Sequence, residues 1–112
     1  MDERRRQERK YLTYFSRVTD RRSDRLLGYM VDMTIGGAQL VGNVPLKIHE
    51  MIEIRVDLPD DFSPQMSLDM LVRAVWTRPD EDPELFKTGL QLIEINPSDI
   101  PVLERLLASY GS

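Results

Sequence analysis

The sequence predicts a mainly β protein: a six-stranded antiparallel barrel, closed by one C-terminal α-helix and preceded by a flexible basic arm. Six short segments rich in apolar and β-branched residues follow one another, with turn-forming residues between them. At the C-terminus the apolar period changes from that of a strand to that of a helix. The chain has 112 residues, which suffices for one domain with a single core.

The strands are indicated by alternation and by the turns between them. The clearest is segment 51–58, in which every second residue is apolar and most of the intervening residues are charged. A longer segment, 67–78, places a series of apolar residues that ends with Trp76 in one register. The predicted strands are residues 11–18, 26–33, 38–41, 51–58, 67–78 and 86–95.

The C-terminal segment is predicted to be an amphipathic helix over about residues 98–110. Its apolar residues recur at helical spacing: Ile100, Leu103, Leu106, Leu107 and Tyr110. Ser98 is the preferred N-cap, because Pro101 then falls in the first turn, where its missing N–H costs little. Gly111 is a suitable stop. We expect this helix to cover one opening of the barrel.

Composition limits the function classes. The chain has no cysteine, which excludes disulfides and thiolate metal sites and favours a reducing cytoplasm. No apolar run approaches the roughly 18 residues that a membrane span needs, so we expect no membrane insertion. The charged N-terminus lacks the apolar core of a secretory signal.

The charge is distributed unevenly along the chain. Residues 1–25 hold nine Lys and Arg against five Asp and Glu, whereas residues 26–112 hold six against fourteen. A basic arm on an acidic body argues against coating nucleic acid and favours capture of a small anion or a short acidic patch. A solvated terminus without a ligand is the alternative interpretation. We expect residues 1–10 to form a flexible arm and residues 11–112 a single domain.

The sequence offers no catalytic constellation. His49 is the only histidine, and a lone histidine without an evident partner is typical of a structural or solvent-exposed residue. No Ser-His-acid triad can be assembled without it, and the absence of cysteine excludes a Cys-His pair. No Gly-rich loop ends in Gly-Lys-Ser/Thr. The acidic clusters at 60–61 and 80–82 are typical of solvated loops, and a weak divalent-ion site is the alternative interpretation. We therefore expect a binding protein without enzymatic activity, cofactor or metal.

Two short motifs offer complementary binding chemistry. Arg5 and Arg9 form an Arg-x-x-x-Arg pattern before the first strand, and Asp32-x-Thr34-x-x-Gly37 follows the second strand. Guanidinium forks suit phosphate oxygens and the acceptor edge of guanine. A carboxylate, a hydroxyl and bare backbone suit the donor edge of a purine. Alone, the Asp32-x-Thr34-x-x-Gly37 pattern is also typical of a tight turn with local side-chain hydrogen bonds. At a barrel rim, however, the basic arm can reach this turn, which favours a binding site.

Together the motifs resemble those of the PilZ domain family, whose bacterial members are receptors for the second messenger cyclic di-GMP. The family motifs are Arg-x-x-x-Arg and Asp/Asn-x-Ser-x-x-Gly, at about this separation. Segment 72–76 is similar to the family's central strand, and segment 88–92 to a Gly-containing segment of its last strand. The resemblance covers about residues 5–110. Thr34 stands where the family normally has serine.

The resemblance implies a set of ligand-binding residues and three secondary candidates: Arg5, Arg9, Asp32, Thr34 and Gly37, and then Arg6, Gly36 and Trp76. The two arginines would bind the phosphates and guanine acceptor atoms. Asp32 would accept from guanine N–H groups, Thr34 would supply the hydroxyl, and Gly37 would permit close backbone approach. Trp76 is either a residue that packs on a guanine or a core residue.

The resemblance also implies a mechanism. The arm, mobile without ligand, would order over the barrel rim when cyclic di-GMP binds and present a composite surface to a protein partner. That partner would belong to motility, adhesion or polysaccharide-secretion machinery in the cytoplasm. The alternative is a PilZ-like interaction module that has lost nucleotide binding. A third hypothesis, a small barrel that binds DNA or RNA through its arm, is disfavoured by the acidic body.

Overall fold

The structure, a computed structural model, describes the backbone of residues 10–110 and the side chains of residues 16–110. β1 begins at Lys10, the last residue of the predicted arm. The elements in chain order are β1 (Lys10–Asp20), β2 (Leu26–Met33), β3 (Gly37–Gly42), β4 (Met51–Asp57), β5 (Ser67–Pro79), β6 (Phe86–Ile95), a 3₁₀ turn (Pro97–Asp99) and α1 (Ile100–Tyr110).

The strands close into a barrel in the order β1-β2-β3-β6-β5-β4, and the paired strands are antiparallel. The predicted six-stranded antiparallel barrel with a C-terminal helix is confirmed, whereas residues 1–9 of the predicted arm lie outside the described residues. β2 and β6 have the predicted bounds, and the others differ by one or two residues at an end. The order has one consequence for the site: β3 lies next to β6, so residues that are distant in sequence become neighbours on the barrel wall.

The core fills the barrel interior with the inward-facing residues of the alternating strands. On β4, Ile52, Ile54 and Val56 are buried, as their alternation predicts. From α1, Leu103 and Leu106 join the same cluster and are almost completely buried. Burying a leucine side chain stabilises the fold by about 1.5–3 kcal/mol, so α1 is held to the barrel by its apolar face.

The C-terminal helix begins differently from the prediction. Asn96, rather than Ser98, is the N-cap, and its Oδ1 accepts a hydrogen bond from the Ser98 N–H at 3.0 Å. Asn96 caps a 3₁₀ turn that leads into α1. Pro97 opens this turn and Pro101 lies in the first turn of α1, where a missing N–H leaves no helical bond unmade. No helix in the described range has the length and apolar character of a membrane span.

A β-bulge at Val31 decides which way the end of β2 faces. Across β2 and β3, Met30 pairs with Leu40 but Asp32 pairs with Gln39, so Val31 is an extra residue on β2. Paired residues share a face of the sheet. Because Leu40 is buried in the core, the pair Asp32 and Gln39 lies on the outer face of the barrel.

A second bulge, at Val75, turns the end of β5. Ala74 pairs with the buried Leu90, but Trp76 pairs with Gly89, so Trp76 faces outward. The prediction of one register running through Trp76 is wrong, because strict alternation does not allow for an inserted residue. Of the two alternatives for Trp76, the core position is excluded, since this half-buried side chain lies outside the core cluster.

Ser16 on β1 places a hydroxyl in the apolar interior. It is fully buried and pairs with Met30, and among the described residues its Oγ has no hydrogen-bond partner. We expect Ser16→Ala to raise the free energy of unfolding by about 1 kcal/mol, because it removes an unsatisfied polar atom. Urea denaturation measures this change. A loss of stability of similar size would contradict the expectation.

Candidate functional site

Thr34 closes the turn between β2 and β3. Its N–H donates to the Gly37 carbonyl at 2.8 Å, and its hydroxyl lies 3.3 Å from the same oxygen. The Gly36 N–H in turn donates to the Thr34 hydroxyl at 3.3 Å. The Gly36 carbonyl accepts from the Leu92 N–H on β6 at 3.0 Å, which ties the turn to the wall. Thr34 thus makes the local side-chain bonds that serine makes in such turns.

The two glycines of this turn have different surroundings. A Cβ on Gly37 would lie 2.5 Å from the carbonyl oxygen of Leu90 on β6, so a side chain there would push β3 and β6 apart. A Cβ on Gly36 would meet nothing within 4 Å. The structure therefore shows a close approach of Gly37 to a neighbouring strand, whereas Gly36 faces open space beside the turn.

Asp32 precedes the turn on the outer face of β2. It is 0 % exposed, although it points away from the core. Its backbone neighbours are Tyr11 on β1 and Gln39 on β3. The motif predicted a polar group at the barrel rim, whereas Asp32 lies in the outer wall, at the end of the strand. A carboxylate shielded from water makes strong hydrogen bonds with N–H donors.

One lateral row of outward positions connects Asp32 with Trp76. From strand to strand the row runs through Asp32 on β2, Gln39 on β3, Gly89 on β6 and Trp76 on β5. With strands about 4.8 Å apart, the row is about 14 Å long. Gly89 lies under the indole, where a Cβ would overlap Trp76 Nε1. The absence of a side chain at Gly89 therefore lets Trp76 lie against the wall.

A second row lies beside the first, toward the turn. It consists of Gly37 on β3, Gln91 on β6 and Arg73 on β5. Arg73 Nη2 donates to Gln91 Oε1 at 3.2 Å. At the other side of the first row, the guanidinium of Arg78 lies over the Trp76 ring, 4.4 Å from its centroid. The site thus combines a turn, an aromatic surface and cations on one wall.

Sequence reasoning missed several residues of these rows: Gln39, Arg73, Arg78, Gly89 and Gln91. Their juxtaposition depends on the pairing of β3 with β6 and on the two bulges. Alternation of apolar and polar residues indicates neither strand order nor bulges. One signal was present, because a glycine inside a strand marks a close approach, and Gly89 is such a glycine.

The arginines of the predicted site, Arg5, Arg6 and Arg9, lie outside the described residues. The strand that follows them is described, and Lys10 pairs with Met33 at the end of β2. Arg9 is bonded to Lys10, so the chain enters the barrel beside the turn motif. It therefore stays a prediction that the arginine side chains of the arm contact the same ligand as the turn.

His49 is exposed in the turn before β4 and adopts a positive φ of 76°. Its N–H donates to the Ala74 carbonyl at 2.7 Å, which is a structural role. Within residues 10–110, no group of three or more histidine and acidic side chains converges to hold a metal ion.

The PilZ domain family model matches residues 3–109. No curated protein matches the sequence. The structure of the Bacillus subtilis inhibitor of motility (MotI/DgrA) has a TM-score of 0.68 and 15% identity, covering 91% of this chain and 51% of that one. The PilZ domain of YcgR from Escherichia coli, with c-di-GMP, has a TM-score of 0.65 and 13% identity, covering 91% and 87%. The chain spans about half the length of the MotI/DgrA chain.

Proposed function

We propose, because this chain belongs to the PilZ domain family, that it is a receptor for cyclic di-GMP. PilZ domains are receptor and adaptor domains, and the chain is not an enzyme. Cyclic di-GMP would be a ligand and not a cofactor. The observation that carries the proposal is the row on the outer wall, which joins Asp32 and the adjoining turn to Trp76.

Each part of this wall suits one part of the ligand. Asp32 would accept from the N–H donors of a guanine, in a place shielded from bulk water. Thr34 would hold the turn in shape, and the open side of Gly36 would admit the ligand to its backbone. Trp76 and Arg78 would offer an aromatic and a cationic surface to a purine.

In this proposal the arm supplies the remaining contacts. Arg5 and Arg9 would bind the phosphates and the acceptor edge of guanine, with Arg6 as an auxiliary contact. Lys10 pairs with Met33, directly before Thr34, so the arm joins the barrel beside the turn. From there the arm would order over the wall when the ligand binds. Ordered arm and ligand together would form a surface that a protein partner recognises.

Calorimetric titration with cyclic di-GMP tests the proposal. We expect saturable binding that weakens by at least about a hundredfold in both Arg5→Ala and Arg9→Ala, because each removes a charged bidentate fork. Arg4→Ala is the matched control, since it removes the same charge from the same arm outside the motif. Absence of heat with folded protein would overturn the proposal, as would an equal loss in the control.

The partner is inferred to belong to motility machinery, with adhesion and polysaccharide secretion as the other classes, in the cytoplasm. The similar fold of a protein described as an inhibitor of motility favours motility. A second function, an interaction module without nucleotide binding, is favoured by one observation. The Thr34 hydroxyl already bonds within its own turn, so it is partly engaged before any ligand arrives. The same titration separates the two functions.

A further inference from the structure

We propose that Arg73 on β5 is a further ligand-binding residue and that it takes a phosphate group of the nucleotide. This inference rests on the function proposed above and extends the site to a strand that neither sequence motif includes. It is carried by the position, the direction and the unmet hydrogen-bonding capacity of one guanidinium group.

The position follows from the strand register. Arg73 pairs with Gln91 on β6, and Gln91 pairs with Gly37 on β3. Two strand spacings, about 10 Å, therefore separate Arg73 from the turn motif on the same face of the wall. Along β5, Trp76 lies three residues away and also faces outward because of the bulge at Val75.

A hydrogen bond sets the direction of the side chain. Arg73 Nη2 donates to Gln91 Oε1 at 3.2 Å, so the guanidinium extends from β5 toward β6 and the turn, and away from β4. Gln91 is neutral and itself exposed, so it orients the arginine without neutralising its charge. Gln91 is therefore a positioning residue for Arg73.

The hydrogen-bonding capacity of Arg73 is largely unused. Its Nε has no access to solvent and no hydrogen-bond partner among the described residues. Within residues 16–110, no carboxylate forms an ion pair with it. A buried N–H donor without a hydrogen-bond partner is unfavourable, because Nε has lost its hydration and no group within residues 16–110 replaces that hydrogen bond.

Other arginines of the barrel show the contrast. Arg55 Nε bonds Asp69 at 3.0 Å, and Arg21 Nε lies 3.4 Å from the same carboxylate. This contact with Asp69 raises the pKa of Arg55 above its usual value. The chain is rich in acidic residues, yet within residues 16–110 no carboxylate forms an ion pair with Arg73. An anion from outside the chain would supply the negative charge and the hydrogen-bond acceptors that Arg73 does not find on the wall.

A phosphate fits this position better than a carboxylate-bearing peptide. Arg73 and Trp76 lie about 10 Å apart along β5, so a base placed against Trp76 and its stacked Arg78 would bring its own phosphate toward the Arg73 guanidinium. Arginine binds phosphate oxygens through paired N–H groups, a geometry that lysine does not reproduce. Gly36 and Gly37 add no side chain at the turn, so Gln91 is the side chain of this row that lies between the turn and the guanidinium.

Calorimetric titration of the full chain with cyclic di-GMP at low and high salt tests this inference. We expect Arg73→Gln to weaken binding by about tenfold or more, since hydrogen bonds to charged groups are lost. The salt dependence of the affinity should fall as well, because one charge–charge contact that salt screens is gone. Arg73→Lys should recover the salt dependence but only part of the affinity. Arg22→Gln, an equal charge change in an exposed turn, should bind like the wild type.

A second variant keeps the test valid if Arg73→Gln fails to fold. Gln91→Glu would place a carboxylate on Arg73 and should weaken binding by a similar factor, because it occupies the guanidinium and repels phosphate. If the wild type binds cyclic di-GMP and either Arg73→Gln or Gln91→Glu binds it with the same affinity, this inference is overturned and the proposed function stands. Absence of wild-type binding would overturn the proposed function, and the inference with it.

Discussion

Asp32→Asn is expected to weaken cyclic di-GMP binding by at least about a hundredfold while the barrel remains folded. The substitution preserves shape but turns one acceptor oxygen into a donor, which would face the N–H groups of guanine. It also removes the charge that strengthens those hydrogen bonds. Because Asp32 is 0 % exposed, water does not compensate for the mismatch. Titration calorimetry with a thermal melt of the same sample measures both effects.

Asp60→Asn is the matched control for this substitution. It removes the same charge from the exposed loop between β4 and β5, away from the two rows. We expect its affinity to equal that of the wild type. If Asp32→Asn bound cyclic di-GMP as tightly as Asp60→Asn, Asp32 would have no part in recognition.

Gly37→Ala is expected to lower the free energy of unfolding by about 1–3 kcal/mol, as an overpacked contact does. The added Cβ would lie 2.5 Å from the Leu90 carbonyl oxygen, and a backbone atom in a strand cannot move aside as a flexible side chain does. Gly36→Ala should leave stability nearly unchanged, since a Cβ there meets nothing within 4 Å. Urea denaturation of the two variants gives the comparison, and equal effects would contradict the assignment.

These two glycines refine what the motif residues do. The resemblance implies that Gly37 permits close approach of the ligand, and the structure adds a contact with β6 that requires glycine even without ligand. The position with open space beside it is Gly36, which the resemblance implies as a secondary candidate. Loss of function in a Gly37 variant therefore needs a stability measurement beside it.

Alternation predicted the strands well because most of them bury one face. β4 is the clearest case, since every second residue of it is in the core. The same reasoning failed at the end of β5, because the bulge at Val75 moved Trp76 to the outer face. The N-cap prediction was wrong for a different reason. A 3₁₀ turn precedes α1 directly, and the N-cap, Asn96, belongs to that turn.

The candidate site was predicted only where it is local in sequence. Asp32, Thr34 and Gly37 belong to one strand end and its turn, and they lie together as the motif suggests. Arg73 and Gln91 could not be found in this way, because they reach the turn through the pairing of β6 with both β3 and β5. Such neighbours follow from strand order, which alternation does not determine.

Trp76 has a practical consequence for any study of this barrel. It is the sole tryptophan of the chain, and the bulge at Val75 holds it on the proposed binding wall instead of in the interior. The protein therefore carries its single indole fluorophore on this wall, with Arg78 stacked on it. A nucleotide bound on this wall would change the surroundings of the indole, so a change in the emission of Trp76 would report occupancy of the wall without an attached dye.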